Sequence, residues 1–296
     1  MAAKILDGKK IAEEIYAELN QDIQALQRRG IVPKLSVILV GDDPASSVYV
    51  KMKSKACDRM GLRSETLHLP SDISQAELLD HIDRLNNDEA THGILVQMPL
   101  PSHIDENQVI ERILPEKDVD GFHPVNKGRL QAGLESFVPC TPAGVREILV
   151  RSGYPPDGKH VVVVGRSQIV GLPLAILLAQ KQKNANATVT ICHSRTQNID
   201  FFLKNADIVV AAIGQPEFIK GRMLNPGSVV IDVGVNRVEA PESEKGYKLV
   251  GDVEFEEAVK HVAAITPVPG GVGPMTIAML VKNTVLAARR RHHLMQ

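Results

Sequence analysis

Val161 to Pro173 reads VVVVGRSQIVGLP, and no other stretch limits the possible fold as strongly. Four valines running into a glycine describe a strand buried on both faces, as in a parallel sheet. A second glycine at 171 and a proline at 173 open a helix. A helix that starts directly after such a turn offers unpaired N–H groups, which favour an anion, most often a phosphate. The turn lies past the middle of the 296-residue chain, so another structural unit of comparable size precedes it.

Alternating periodicity fills in both units. Helical spacing covers 8–29, 46–60, 74–85 and 106–113, and strands fit 35–40, 63–69 and 93–98. An irregular stretch then runs to Gly133. A helix follows at 139–150, with Thr141 expected as its N-cap and Pro142 at its first position. Beyond it, strands fit 161–164, 188–192, 207–213, 228–233 and 263–265, and helices fit 171–183, 199–204, 254–260 and 275–290. The predicted class is α/β: two α/β domains with mainly parallel strands and an active-site cleft between them. The first is expected over 1–140 plus 275–296, and the second, a Rossmann-like dinucleotide-binding domain, over 141–274.

Bulk composition excludes several functions. Net charge is −1, which gives no basic footprint for nucleic acid or an anionic membrane. Aromatics make up 3% with no Trp, which argues against base-stacking platforms and requires aliphatic cores. Cys57, Cys140 and Cys192 lack metal-ligand spacing, and no His/Cys/acid cluster supplies it elsewhere, so no metal is expected. With no CxxC pair, no signal-like start and no long apolar run, the expected location is the cytoplasm.

The turn departs from G-x-G-x-x-G: Gly165 fits the first glycine, and Ser167 replaces the second. A buried strand followed by a capped helix is the plainer alternative. The next strand discriminates. NAD-binding folds place an acid there for the ribose 2′-hydroxyl. This chain instead has Cys192-His193-Ser194-Arg195-Thr196, with a cation and hydroxyls and no acid. Ser194, Arg195 and Arg166 suit a 2′-phosphate, so NADP is preferred over NAD. Strand ends at Gly214 and Gly234 would let a cofactor approach the backbone.

The preceding unit carries different chemistry. Tyr49 and Lys53 stand four apart on the 46–60 helix and share a face. Such a pair can orient a substrate and handle protons, although an exposed tyrosine and a solvated lysine would read the same way. Lys51 and Lys55 flank Lys53 as possible like-charge neighbours. The opposite order of Y-x-x-x-K and nucleotide turn excludes a short-chain dehydrogenase. Gln97 ends a run that should be buried, and a buried amide needs partners. Asp118 and Asp120 bracket a turn in PEKDVDGFHP; they either cap it or accept hydrogen bonds from an amino-heterocycle. The loop TPVPGGVGPMT, 266–276, is either a rigid linker or a path along a bound ligand.

The motifs VGDDPASSVYVKMKSKACDRMG, GILVQMPLP, PEKDVDGFHPVNKGRL, PCTPAGV, GRSQIVGLP, IDVGVNR and TPVPGGVGPMT together resemble the bifunctional methylenetetrahydrofolate dehydrogenase/methenyltetrahydrofolate cyclohydrolase family, over about 5–285. That resemblance implies NADP-dependent oxidation of 5,10-methylenetetrahydrofolate, then hydrolysis to 10-formyltetrahydrofolate. It implies that Tyr49 stacks on the folate, Lys53 is central to hydrolysis, Gln97 supports Lys53, and Asp120 binds the pterin with Asp118 in support. Gly165, Arg166, Ser167, Ser194 and Val235 fall at cofactor positions. Gly273 and Thr276 fall beside substrate and nicotinamide. A homodimer is implied as well. A monofunctional dehydrogenase and a non-enzymatic folate or nucleotide binder are the competing expectations.

Overall fold

The computed structural model describes residues 3–243 and 246–294. In chain order its strands are β1 (Lys4–Ile5), β2 (Lys34–Val40), β3 (Arg63–Leu69), β4 (Gly93–Val96), β5 (His160–Val164), β6 (Thr188–Cys192), β7 (Ile208–Ala211), β8 (Val229–Asp232), β9 (Asn236–Glu239), β10 (Tyr247–Val250) and β11 (Ala264–Ile265). Its helices are α1 (Gly8–Gln27), α2 (Pro44–Arg59), α3 (Gln75–Asn87), α4 (Glu106–Arg112), α5 (Pro124–Gln131), α6 (Cys140–Arg151), α7 (Gly171–Ala179), α8 (Ile199–Lys204), α9 (Phe255–Ala258) and α10 (Val272–Arg291).

The chain forms two compact units. One holds Glu14–Cys140 and the chain from Ile277 onward; the other holds Thr141–Thr276 and the chain up to Glu13. The sequence pattern assigns residues 1–13 to the same unit as 14–140. They lie in the other because β1 pairs in parallel with β11, Lys4 opposite Ala264, and so extends that unit's sheet. A two-residue strand carries too little periodicity to be read beforehand.

In the first unit β3, β2 and β4 form a parallel sheet in that order. Its core is aliphatic, as the composition requires: Ile38, Leu78, Ile82, Ile94 and Val109 are fully buried. Burying each such side chain contributes about 1.5–3 kcal/mol. The second unit carries a six-stranded sheet ordered β1-β11-β8-β7-β5-β6, parallel in all its recorded pairings. Val161 to Val164 of β5 are at most 2% exposed, as expected for a strand covered on both faces.

Further elements differ from expectation. The stretch before Gly133 is not wholly irregular, because α5 starts at Pro124 with the His123 side chain accepting from Val125 N–H. Proline at the first helical position after a side-chain cap was the available signal. Helix α6 starts at Cys140, so Thr141 lies inside it rather than capping it. The antiparallel hairpin β9–β10 was missed, since each arm has four residues that alternate only weakly.

Candidate active and cofactor sites

Helix α2 sets the geometry of the first unit's site. The Asp43 side chain accepts from Ser46 N–H, and Pro44 occupies the first turn, which fixes where the helix begins. Tyr49 and Lys53 follow one turn apart on its inner face. Tyr49 is half-buried, and lost hydration raises its phenol above the usual value. Lys53 is only 8% exposed. Lys51 and Lys55 are exposed, so neither shares the buried setting of Lys53.

Strand β4 delivers the partner. Just past its end Gln97 N–H donates to Ile38 C=O, which anchors the residue to β2. Its side chain is thereby aimed at the lysine: Lys53 Nζ donates to Gln97 Oε1 at 2.9 Å, and Gln97 Nε2 donates to Met98 C=O at 2.7 Å. The amide is thus fixed with its oxygen toward the ammonium.

Asp118 and Asp120 sit on the segment alongside β4, where Ile94 N–H donates to Lys117 C=O. They have separate surroundings. Asp118 is 2% exposed, and its carboxylate accepts from Phe122 N–H, His123 N–H and Asn126 Nδ2. It therefore organises the loop that opens α5. Burial lifts its carboxyl to about 6 despite those donors. Asp120 is also raised by burial, while the Lys53 ammonium and the Cys140 thiol draw it back down. Cys140 is buried, with its thiol pushed far above its ordinary value, so it is no thiolate nucleophile. The structure groups Lys53, Gln97 and Asp120, places Tyr49 one turn away, and turns Asp118 into the supporting loop.

One supporting residue escaped the sequence reading. Lys117, 4% exposed, donates from Nζ to the carbonyls of Leu85, Asn86 and Asp88, each at 2.8 Å. It caps the carboxyl end of α3 and pins the start of the Asp118–Asp120 segment. A lysine among acids in PEKDVDG gave no sign of burial.

The second unit's site is a cradle at the carboxyl ends of its strands. Gly165 has φ +128°, and a Cβ there would lie 2.1 Å from Ala212 O. A Cβ on Gly171 would lie 2.2 Å from Gly165 O. The turn is therefore as tight as a dinucleotide turn requires. Ser167 Oγ accepts from Val170 N–H at 3.1 Å and Gly171 N–H at 3.4 Å, closing the turn that leads into α7. Among the described residues, the N–H groups of Arg166, Ser167, Gln168 and Ile169 have no protein acceptor. They suit phosphate oxygens. Val164 pairs with Cys192, which brings this turn beside His193-Ser194-Arg195. Arg166, Ser194 and Arg195 are exposed. Val235 follows β8 and is 43% exposed. Gly273 lies in the first turn of α10 with open space before its Cα, and Thr276 Oγ1 lies 3.0 Å from Thr141 Oγ1. Helix α10 begins at Val272, three residues earlier than its sequence pattern indicated. Among the described residues no cluster of acids, histidines or cysteines could hold a metal ion.

Comparison with known proteins agrees with both halves. Residues 6–120 match the model for the tetrahydrofolate dehydrogenase/cyclohydrolase catalytic domain, and residues 139–292 match its NAD(P)-binding domain. The bifunctional protein FolD of Moorella thermoacetica is 57% identical over 98% of this chain and 100% of its own length. The bifunctional dehydrogenase/cyclohydrolase structure from Campylobacter jejuni superposes with a TM-score of 0.92 at 48% identity, covering 98% of this chain and 100% of that one. The Trypanosoma brucei dehydrogenase-cyclohydrolase, solved with NADP and an inhibitor, gives 0.93 at 44% identity over 99% of both chains. Matching domains, order and full-length similarity have one reading: the chain belongs to the tetrahydrofolate dehydrogenase/cyclohydrolase family.

Proposed function

We propose that this protein oxidises 5,10-methylenetetrahydrofolate with NADP and hydrolyses the resulting methenyl compound to 10-formyltetrahydrofolate. The observation that carries the hydrolytic half is the buried Lys53, hydrogen-bonded to Gln97 and electrostatically coupled to Asp120. A structural role alone would not require an ammonium there; a methionine would fill the space more cheaply.

NADP, when bound, supplies the hydride acceptor. The residues fit it: the glycine turn admits a pyrophosphate, the free N–H groups of 166–169 would hold its oxygens, and Arg166, Ser194 and Arg195 would face a 2′-phosphate. The protein's contribution to hydride transfer is orientation, which can supply a large share of a barrier reduction.

Hydrolysis needs a proton moved as water adds to the methenyl carbon and a ring nitrogen leaves. Lys53 is the residue placed to move it, and Gln97 fixes the position of Nζ. Asp120, raised by burial, would bind the amino-heterocycle of the pterin, and Tyr49 would lie against its ring. Asp118 acts on the substrate only through the α5 loop it organises. Gly273 and Thr276 would border the substrate and the nicotinamide, and Val235 would meet the cofactor through its backbone.

The family resemblance supports a homodimer in the cytoplasm. Among the described residues no helix is long and apolar enough to cross a membrane. Light scattering of the purified protein tests the assembly; a monomer at micromolar concentration contradicts it. The activity is tested by following methylenetetrahydrofolate oxidation with NADP and NAD in parallel. Turnover several-fold faster with NADP is expected, and equal rates contradict the 2′-phosphate reading.

A further inference from the structure

Two acids of the nucleotide unit, chosen by none of the motif arguments, are almost wholly buried: Asp232 is 3% exposed and Asp252 is 0%. Asp232 ends β8. Its Oδ1 accepts from Gly234 N–H and Asp252 N–H, both at 3.0 Å, and its Oδ2 accepts from Val253 N–H at 2.9 Å. Asp252 follows the β9–β10 hairpin. Its Oδ2 accepts from Ile213 N–H at 2.6 Å and Gly214 N–H at 2.9 Å, and its Oδ1 from Asn236 Nδ2 at 2.9 Å. Among the described residues no basic side chain forms an ion pair with either acid, so N–H dipoles alone solvate them.

The surrounding glycines are shaped to this pair. A Cβ on Gly251 would lie 1.8 Å from Asp232 Oδ2, and one on Gly234 would lie 2.2 Å from Asp252 Oδ1. Burying an unpaired carboxylate costs several kcal/mol even after relaxation, and apolar residues would tie down loops more cheaply. Burial, with the neighbouring Asp252, raises the Asp232 carboxyl to about 7. Buried acids with strongly perturbed pKa values concentrate at functional sites.

The topology identifies the ligand end concerned. In an open parallel sheet a dinucleotide lies outside the carboxyl ends of the strands. The turn after β5 and the Ser194–Arg195 segment after β6 take the phosphates and the adenosine ribose. Strands β7 and β8 lie on the other side of β5, so their ends are left for the nicotinamide half. The loops after them are the ones the acids hold: Ile213–Gly214 after β7, and Gly234 with Asn236 after β8.

We propose that Asp252, backed by Asp232, is a positioning residue that locks the loops after β7 and β8 into the shape that receives the nicotinamide end of the cofactor. The proposal rests on the NADP-dependent reading above. Neither acid need touch the cofactor, since both act through backbone N–H groups and Asn236.

The test uses Asp252→Asn, nearly isosteric but placing a donor where donors converge, and Asn236→Ala, which removes one contact and leaves both acids. NADP affinity of the substrate-free enzyme is measured by titration calorimetry, with KM and kcat for NADP, hydrolysis of methenyltetrahydrofolate, and thermal midpoint. Kd and KM for NADP should rise about tenfold in Asp252→Asn, equivalent to ~1.4 kcal/mol, and about threefold in Asn236→Ala. Hydrolysis, which uses no nicotinamide, should fall less than about twofold by the same conversion. An unchanged Kd in a folded Asp252→Asn protein overturns the proposal. So does a loss of affinity that hydrolysis and thermal midpoint follow in proportion, since that marks a general structural role. If Asp252→Asn fails to fold, Asn236→Ala decides, and an unchanged Kd there overturns the proposal. Failure of the unaltered protein to bind NADP would instead refute the underlying functional reading.

Discussion

Replacing Gly165 by alanine isolates the cofactor turn. Its φ of +128° lies where side chains are rarely tolerated, and forcing one there costs roughly 1–3 kcal/mol. The added Cβ would also meet Ala212 O at 2.1 Å and its carbonyl carbon at 2.9 Å. Those are backbone atoms that cannot swing aside. Ala212 is itself held by its N–H bond to Val164 C=O at 2.8 Å, next to the β5–β7 pairing in the interior of the sheet. Relieving the overlap by backbone movement adds about 1–3 kcal/mol, as for overpacked cores. If about 3 kcal/mol of the total falls on the turn, NADP affinity drops roughly a hundredfold. Calorimetric titration with NADP measures this directly, with methenyltetrahydrofolate hydrolysis as the internal control for the other unit. A Gly165→Ala protein that binds NADP within threefold of the parent refutes the argument that this turn must be closed to fit a dinucleotide.

Three further outcomes follow from the same structure. Arg195→Glu puts a carboxylate where a 2′-phosphate is expected, so the ratio of kcat/KM for NADP over NAD should fall at least tenfold (about 1.5–3 kcal/mol per charged hydrogen bond), as read in parallel steady-state assays. Asp118 and Asp232 hold their protons to about 6 and about 7, against 3.8 for a free carboxyl. The native state therefore binds more protons than the unfolded state between roughly pH 4 and 7, and these two groups make stability decrease as pH rises through that window. Denaturant-derived stabilities should show that decrease, and Asp118→Asn should reduce the total decrease across the window by up to ~3 kcal/mol. Lys117→Met removes three bonds to the end of α3 and should lower stability by about 3 kcal/mol in urea melts, with hydrolysis impaired because the Asp118–Asp120 segment loses its anchor.

What the sequence revealed tracked how local the determinant was. The valine strand, its glycine turn and the parallel alternation were legible because each depends on neighbours in the chain. Tyr49 and Lys53 shared a face by helical spacing alone, yet the burial of Lys53 was not legible, since it depends on β4 delivering Gln97 from 44 residues away. Asp118 and Asp120 looked equivalent as two acids around a turn. Only packing separated them, giving one to the α5 loop and the other to Lys53. The hairpin and β1 were too short for periodicity to register. Asp232 and Asp252 escaped for a related reason: Asp232 looked like an ordinary strand end, and two of its three partners arrive from 20 and 21 residues further on.

The central claim is that one chain performs two chemistries, with Lys53 needed for one and largely dispensable for the other. Lys53→Met keeps the volume and removes the ammonium, along with its bond to Gln97 and its charge beside Asp120. The direct measurement is both activities on one preparation: NADP-linked oxidation of methylenetetrahydrofolate and hydrolysis of methenyltetrahydrofolate. Loss of positioned proton transfer predicts a fall in hydrolysis of roughly 10²–10⁴-fold, while oxidation retains much of its rate. Hydrolysis that survives the substitution intact, or two activities that fall together, contradicts the account.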